Sequence, residues 1–398
     1  MRVGPHEKLK NVIADIAVIG AGPAGAWAAY LLATRGARVA LFDPSHPREK
    51  PCGGGVTGRA LAIVNGAFDT PPPSVAIRSA RFVDSASGRS AAVPLDTAPA
   101  PSLRVASRAR FDAALVAAAE RAGAVLVASR VASITRDGAS WRVACADGGV
   151  HHAASLVGAD GANSLTRRRV AEPFRRDQLS IATGYFAHGA TSDEIVIEFT
   201  ADPPGYIWSF PRTDHLAIGI CAQADAGVGS AALRAATARW IGTLGLARGL
   251  RLEPYAWPIP SLSAHDFGAL QLAGPGWMLA GDAAGLVDPI TREGIFFALQ
   301  SAAAAADALS TGDAGAARLY RDRVQSEIAS ELARAARFKA RFFRPRFIHL
   351  MIEALAESEG IRRVMADLVA GTQPYRGLKW RLAGTFEAGV AFKVLRLV

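Results

Sequence analysis

A mixed α/β fold is predicted, with a parallel sheet at its centre, an antiparallel sheet inserted into it and helices toward the C-terminus. Three observations predict it. An apolar run ends in Gly20-Ala21-Gly22-Pro23-Ala24-Gly25 and leads into an alanine-rich stretch, the pattern of a buried strand turning tightly into a helix. A second bend, Gly281-Asp282-Ala283-Ala284-Gly285, lies about 260 residues downstream, with Pro289 and Gly294 beyond it. Between the two bends, segments such as Glu194-Ile195-Val196-Ile197-Glu198-Phe199 alternate apolar and polar positions between turn residues, the period of strands with one buried face.

Taken in order, residues 16–19 form the first buried strand. Gly20, Gly22 and Gly25 permit a tight turn, close backbone approach to a diphosphate, and close packing of helix on strand. Pro23 suits the first helical turn, where a missing N–H costs nothing, and Gly36 ends the helix. A second strand over residues 38–42 reaches Asp43, 18 residues past Gly25. A carboxylate there accepts from ribose hydroxyls and repels a 2′-phosphate, so the adenosine of FAD or NAD fits better than that of NADP. Two distant bends holding opposite ends of one dinucleotide favour FAD. Pro71-Pro72-Pro73 and Pro99-Ala100-Pro101 mark a departure from this domain and the return to it. Residues 130–145 read as a strand pair turning at Asp137-Gly138. Leu156-Val157-Gly158-Ala159-Asp160-Gly161 reads as a strand entering a third Gly/Asp turn, with Asn163 and Ser164 able to cap the segment after it. The alanine-rich residues 302–336 and the tail from about Gln325 read as helices. The expected organisation is a discontinuous Rossmann-like FAD-binding domain (residues 1–70, 104–171 and 270–325), an inserted antiparallel β-sheet substrate domain (71–103 and 172–269) and a C-terminal helical region (326–398).

Composition narrows the function classes. Half of the 398 residues are hydrophobic, enough for a large core, and the net charge is +10. The 18 uncharged positions from 16 to 33 fit a strand, turn and helix rather than a membrane span, because glycines interrupt them and the period changes halfway. Met1 to Lys10 is polar, unlike a charged-then-apolar leader. Cys52, Cys145 and Cys221 are too few and too scattered for a disulfide framework or a metal site, which points to a reducing cytoplasm. His151 and His152 face opposite ways at strand spacing, so they are not expected to share a metal. Arg167-Arg168-Arg169 reads as a solvated helix face. From Glu331 onward 13 Lys/Arg stand against 6 Asp/Glu, a net +7. Such a tail either makes a peripheral membrane, diphosphate or nucleic-acid contact or is a solvated helix surface, and no nucleic-acid-binding motif accompanies it.

The pattern resembles flavin-dependent oxidoreductases of the p-hydroxybenzoate hydroxylase-like fold, and within them the geranylgeranyl reductase family. Two stretches carry the closer likeness: Lys50-Pro51-Cys52-Gly53-Gly54-Gly55, and Pro203-Pro204-Gly205-Tyr206-Ile207-Trp208-Ser209-Phe210-Pro211. The resemblance covers about residues 12–310 and departs at Arg212, where a lysine often follows the last proline. It implies that Gly20, Gly22, Ala24 and Gly25 cradle the FAD diphosphate and that Asp43 holds the adenosine ribose. It implies that Gly281 and Asp282 meet the ribityl chain, that Pro289, Gly294 and Ile295 lie beside the isoalloxazine ring with Cys52, Gly53 and Gly54, and that Arg108 lies near the flavin.

The activity so implied is reduction of an isoprenoid double bond by hydride from flavin N5, with the flavin reduced by NAD(P)H or ferredoxin. Tyr206, Trp208 and Phe210 alternate along one strand and are expected to form one apolar substrate wall, with Tyr206 or Cys52 as the proton donor. A monooxygenase or halogenase of the same fold is the alternative, since the Tyr-x-Trp-x-Phe-Pro strand resembles a halogenase motif. Lys8, Lys10 and Lys50 are the only lysines before Lys339, and none is expected along the tunnel, which argues against halogenation. A basic, non-enzymatic binding module is a third reading.

Overall fold

The computed structural model describes residues 13–95, 102–245, 249–312 and 315–385. The polar start, Met1 to Lys10, and the turn at Pro99-Ala100-Pro101 lie outside the described residues. The first sheet runs in the order Ala273–Gly274, Trp277–Leu279, Val150–Gly158, Ile13–Ile19, Val39–Phe42, Val125–Val127. Along that order the pairings from Trp277–Leu279 onward are parallel, and the antiparallel pair Val131–Asp137 and Ser140–Cys145 branches off Val150–Gly158. Ile13–Ile19 sits in the middle, with Val18 opposite Val157 on one side and Leu41 on the other. Its residues alternate between two cores, which explains the unbroken apolar run. Ile16 and Val18 face the helices Pro23–Thr34, Arg108–Arg121 and Ile295–Ser310, whereas Ala17 and Ile19 face Trp141 and Val143 of the strand pair Val131–Asp137 and Ser140–Cys145. The alanines of Ile295–Ser310 let that helix pack closely on Pro23–Thr34, where Ala298, Ala302 and Ala306 meet Ala24 and Ala28 in one cluster.

The second sheet has seven strands in the order Arg251–Pro260, Leu179–His188, His215–Gln223, Pro204–Pro211, Glu194–Ala201, Ser79–Asp84, Ser90–Pro94. It is antiparallel except where Glu194–Ala201 runs parallel to Ser79–Asp84. One face, with Ile207, Ile218 and Ile220, packs on the helix Ser230–Leu244. The opposite face, with Phe82, Phe199 and Tyr206, packs against Phe342, Phe347, Met351 and Ile361 of the C-terminal helices. A small antiparallel sheet of Gly55–Thr57, Leu103–Ala106 and Ser74–Ala76 joins the two halves and carries the loop that precedes it, residues 50–54, to their junction. Ser164 caps the helix Leu165–Val170 by accepting from the Arg167 N–H at 2.7 Å.

Candidate active site

The two glycine bends meet. Gly281 has φ +57°, and a Cβ built on it would lie 3.1 Å from the Ala24 Cβ and 3.3 Å from the Ala298 Cβ. The Gly281 N–H donates to Ser301 Oγ at 3.0 Å, which locks the bend to the helix Ile295–Ser310. A Cβ on Gly25 would run into the Gly20 carbonyl, so helix and strand are as close as a bare backbone permits. Gly22, by contrast, has only His46 Nε2 within reach, at 3.9 Å, and leaves its backbone open at the N-terminus of Pro23–Thr34. Open backbone at a helix N-terminus is what a diphosphate requires.

Asp43 is buried and its carboxylate is shared. It accepts from Ala21 N–H at 3.0 Å, Ser45 N–H at 2.8 Å and His46 N–H at 2.9 Å. The His46 ring lies between two carboxylates, with Nδ1 2.8 Å from Asp43 and Nε2 3.3 Å from Asp112, neither aligned as a hydrogen bond. Burial opposes charge on this ring, but Asp112 and Asp43 outweigh it and raise its pKa. Asp112 then holds Arg108 through two bonds of 2.8 and 2.7 Å. Arg108 is buried and places Nη1 3.6 Å from Cys52 Sγ.

The bends open into a cavity of about 250 Å³. Pro23, Lys50, Cys52, Gly54, Arg108, Asp282, Gly294 and Ile295 line one end, and Phe82, Ile197, Phe199, Phe338, Met365 and Leu368 line the other. These residues fit FAD: Pro23, beside the open backbone of Gly22, Asp282 and the Gly294 helix start line one space, with Asp282 Oδ1 3.4 Å from where a Cβ on Gly294 would stand. Gly53 lies behind the lining, its backbone against the Phe210 ring, and Pro289 is buried in the loop whose next residues, Ile290 to Gly294, reach the cavity.

Three expectations are corrected. Tyr206 and Phe210 line the cavity but Trp208 does not. The neighbouring strand presents Gly219, whose missing side chain leaves a slot that the indole fills, against Tyr255. Lys50 does lie on the cavity, with Nζ 3.2 Å from Asp282 Oδ2, so the absence of a tunnel lysine no longer argues against halogenation. Arg167 is buried rather than solvated: it donates to the Ala283 carbonyl at 3.1 Å and lies 4.0 Å over the Phe174 ring. Burial pushes its pKa down to about 10.

Tyr206 donates its hydroxyl proton to the Thr291 carbonyl at 3.0 Å. Burial, the nearby Cys221 and Asp288 raise its pKa far above the usual phenol range. Several functional residues carry no signal in the sequence. Arg212 is fully buried and ties the cysteine loop to the sheet, through an ion pair with Glu49 and a bond to the Cys52 carbonyl at 2.6 Å. Glu49 also accepts from Ser107 Oγ at 2.5 Å and Arg108 N–H at 2.9 Å. Arg59 pairs with Glu293, stacks 3.8 Å over Phe296 and packs against Gly371, so it bolts the helix Glu359–Ala370 to the part of the cavity that Glu293 and Gly294 line. Tyr375, from the same C-terminal region, lines the cavity and bonds Asp288 at 3.3 Å. Burial raises the pKa of both Asp288 and Glu293.

Comparison with known proteins bears on the family and the cofactor. The FAD dependent oxidoreductase family model matches residues 15–113. The chain is 30% identical to the menaquinone reductase of Mycolicibacterium smegmatis, over 94% of this chain and 97% of that protein. It is 29% identical to the digeranylgeranylglycerophospholipid reductase of Methanothrix thermoacetophila, over 83% of this chain and 88% of that one. In fold it resembles a geranylgeranyl bacteriochlorophyll reductase-like protein from Thermoplasma acidophilum, with a TM-score of 0.79 and 21% identity over 94% of this chain and 100% of that one.

Proposed function

This chain belongs to the geranylgeranyl reductase family of FAD-dependent oxidoreductases, and on that premise we propose that it saturates carbon–carbon double bonds in an isoprenoid or similar apolar substrate. Reduction of such a bond adds one hydride and one proton, and FAD, reduced by NAD(P)H or ferredoxin, supplies the hydride from N5 when bound. The residues of this chain do the rest. Gly20, Gly22, Ala24 and Gly25 would hold the diphosphate, Asp43 the adenosine ribose, and Gly281 and Asp282 the ribityl chain. Pro289, Gly294, Ile295 and the Cys52-Gly53-Gly54 loop would frame the ring, where the dipole of the helix Ile295–Ser310 would favour negative charge. Phe82, Phe199 and Leu368 exclude water and hold the alkene. Of the two candidate proton donors we assign the role to the Cys52 thiol, which opens on the cavity, because the Tyr206 proton is committed to the Thr291 carbonyl.

The observation that carries this reading is the single cavity that joins the Gly-Asp bend to an aromatic and aliphatic wall. Anaerobic mixing of reduced enzyme with a prenyl substrate, followed by mass analysis, tests it. A gain of two mass units per bond is the expected result, and strict dependence on oxygen refutes it. One observation favours a second reading, an oxygen-dependent monooxygenase or halogenase acting on an aromatic or polyketide substrate: Lys50 stands on the cavity. The oxygen dependence separates the two. None of the described helices is long and apolar enough to cross a membrane. A peripheral contact of the basic C-terminal region with a membrane is part of this proposal, as is a cytoplasmic location.

A further inference from the structure

We propose that His46 is a positioning residue of the FAD diphosphate site: its ring carries a positive charge that holds Asp43 and Asp112 together beside Gly22, and loss of that charge loosens the cofactor. This deepens the flavin reading above and rests on Gly22 as the seat of the diphosphate. The His46 side chain is 8% exposed and lies between two buried carboxylates, with Nδ1 2.8 Å from Asp43 Oδ2 and Nε2 3.3 Å from Asp112 Oδ2. Other donors keep both carboxylates ionised: Asp43 accepts three backbone N–H groups and the Ser45 hydroxyl, and Asp112 accepts two bonds from Arg108. A neutral imidazole carries one N–H and one lone pair. Whichever nitrogen kept the proton, the other would turn its lone pair on a carboxylate oxygen. Only the doubly protonated ring suits both neighbours. Burial opposes that charge, and the contacts and fields of Asp112 and Asp43 outweigh it.

The position of the ring gives its charge a use. Nε2 stands 3.9 Å from where a Cβ on Gly22 would lie, and among the described residues no other side chain comes within 4 Å of that point. The helix that follows, Pro23–Thr34, has no acidic residue in its first turn, so its N-terminus offers open N–H groups and a positive dipole to an anion. The groups that face the ring are Asp43 from its own loop, Asp112 from the helix Arg108–Arg121 and the bare backbone of Gly22. Arg108 balances Asp112 and reaches Cys52 Sγ at 3.6 Å, whereas among the described residues no cation but His46 lies within 4 Å of Asp43. With the ring charged, the two carboxylates are balanced by two cations. Once it is neutral, one carboxylate stands unbalanced next to a doubly negative diphosphate. The diphosphate in turn draws a proton onto the ring, so cofactor and proton bind together. FAD affinity is therefore complete below the pKa of the ring in the flavin-free chain and falls as pH rises above it.

The test follows FAD release from the full-length holoenzyme, read as the return of free flavin fluorescence on dilution, from about pH 6 to about pH 9. In the parent the Kd is expected to rise about ten-fold or more across this range, because a unit charge beside a dianion is worth at least that at an effective dielectric constant of about 20. His46→Gln, uncharged throughout, is expected to release FAD about ten-fold more readily than the parent at the acid end, without a slope, and to match it at the alkaline end. Calorimetry of FAD binding to the flavin-free parent, in two buffers of different ionisation enthalpy, is expected to show proton uptake at about pH 8 and requires no variant to fold. Tight FAD binding with no slope and no proton uptake overturns the proposal and leaves the cofactor site standing. The same slope in His46→Gln also overturns it, since another group then titrates. The expected profile in an enzyme that reduces no isoprenoid refutes the proposed reaction and leaves the role of His46 intact. A chain that holds no flavin at any pH refutes both.

Discussion

Replacing Gly281 by alanine tests the convergence of the two bends directly. The geometry imposes two costs. The left-handed backbone at φ +57° costs a side-chain-bearing residue about 1 kcal/mol. The new methyl would lie 3.1 Å from the Ala24 Cβ and 3.3 Å from the Ala298 Cβ, closer than carbon atoms pack. Forcing a methyl into a filled core costs about 1–3 kcal/mol, so the total is about 2–4 kcal/mol. At roughly 2 cal/mol/K per residue, a chain of this length loses roughly 2–5 °C in melting temperature. Gly148→Ala is the control, because Gly148 has φ +87° and nothing within 4 Å of its missing Cβ, so it carries the backbone cost alone. The crowding at Gly281 pushes the bend away from the helix start that receives the diphosphate. The expected Kd for FAD, measured by flavin fluorescence titration, therefore rises about ten-fold or more in Gly281→Ala, which removes about 1.4 kcal/mol of cofactor-linked stability. Gly148→Ala leaves FAD affinity unchanged. Equal melting losses in the two variants, with equal FAD affinity, would refute the claim that this contact positions the cofactor.

Cys52→Ala is expected to lower anaerobic turnover by about 10²-fold or more with FAD bound normally, whereas Tyr206→Phe loses less than about ten-fold and roughly 1 kcal/mol of stability. The reverse order in rapid-mixing experiments would make Tyr206 the proton donor. Leu368→Trp fills the apolar end of the cavity, and displacing one five-carbon unit costs up to about 4 kcal/mol, a roughly thousand-fold rise in KM at unchanged FAD affinity. Steady-state kinetics on a prenyl substrate decide it; an unchanged KM means the chain lies elsewhere. Lys339 bonds Gln223 and Ser261, both at 2.8 Å, and burial lowers its pKa to about 7. Between pH 7 and 10 the unfolded chain therefore binds a proton that the folded chain has shed, so this residue makes stability rise with pH by about 1 kcal/mol per unit. Denaturant titrations at pH 7 and 9 are expected to show that rise in the parent and to show it diminished in Lys339→Met.

Much of the site was legible in the sequence because it rests on local covalent demands. Only glycine permits the Gly25 to Gly20 approach, and only a run buried on both faces reads as Ile16 to Ile19 does. The strand period placed Tyr206 and Phe210 on one face, as the structure has them. Alternation could not show that Gly219, on the next strand, opens a slot for Trp208, because that depends on register between residues 11 positions apart. The partners of charged groups were equally hidden. Lys50 and Asp282 are separated by 232 positions, and Arg212 and Glu49 by 163; no local pattern announces either pair. Arg167 looked solvated for the same reason, since its acceptor, the Ala283 carbonyl, lies 116 positions on. The cavity wall supplied by Met365 and Leu368 comes from one helix whose sequence reveals an apolar face but not what that face covers.

The central position of Ile13–Ile19 in the first sheet has a bearing on synthesis at the ribosome. Its neighbour on one side, Val39–Phe42, is made within 30 residues, but the neighbour on the other, Val150–Gly158, and the parallel strand beyond it, Trp277–Leu279, come far later. The nascent half-sheet must wait, with an unpaired edge, through the production of the chain in between. The last parts of the flavin pocket, Asp282 and the helix beginning at Ile295, emerge later still. Coenzyme capture by both bends therefore waits until residue 295 has cleared the exit tunnel.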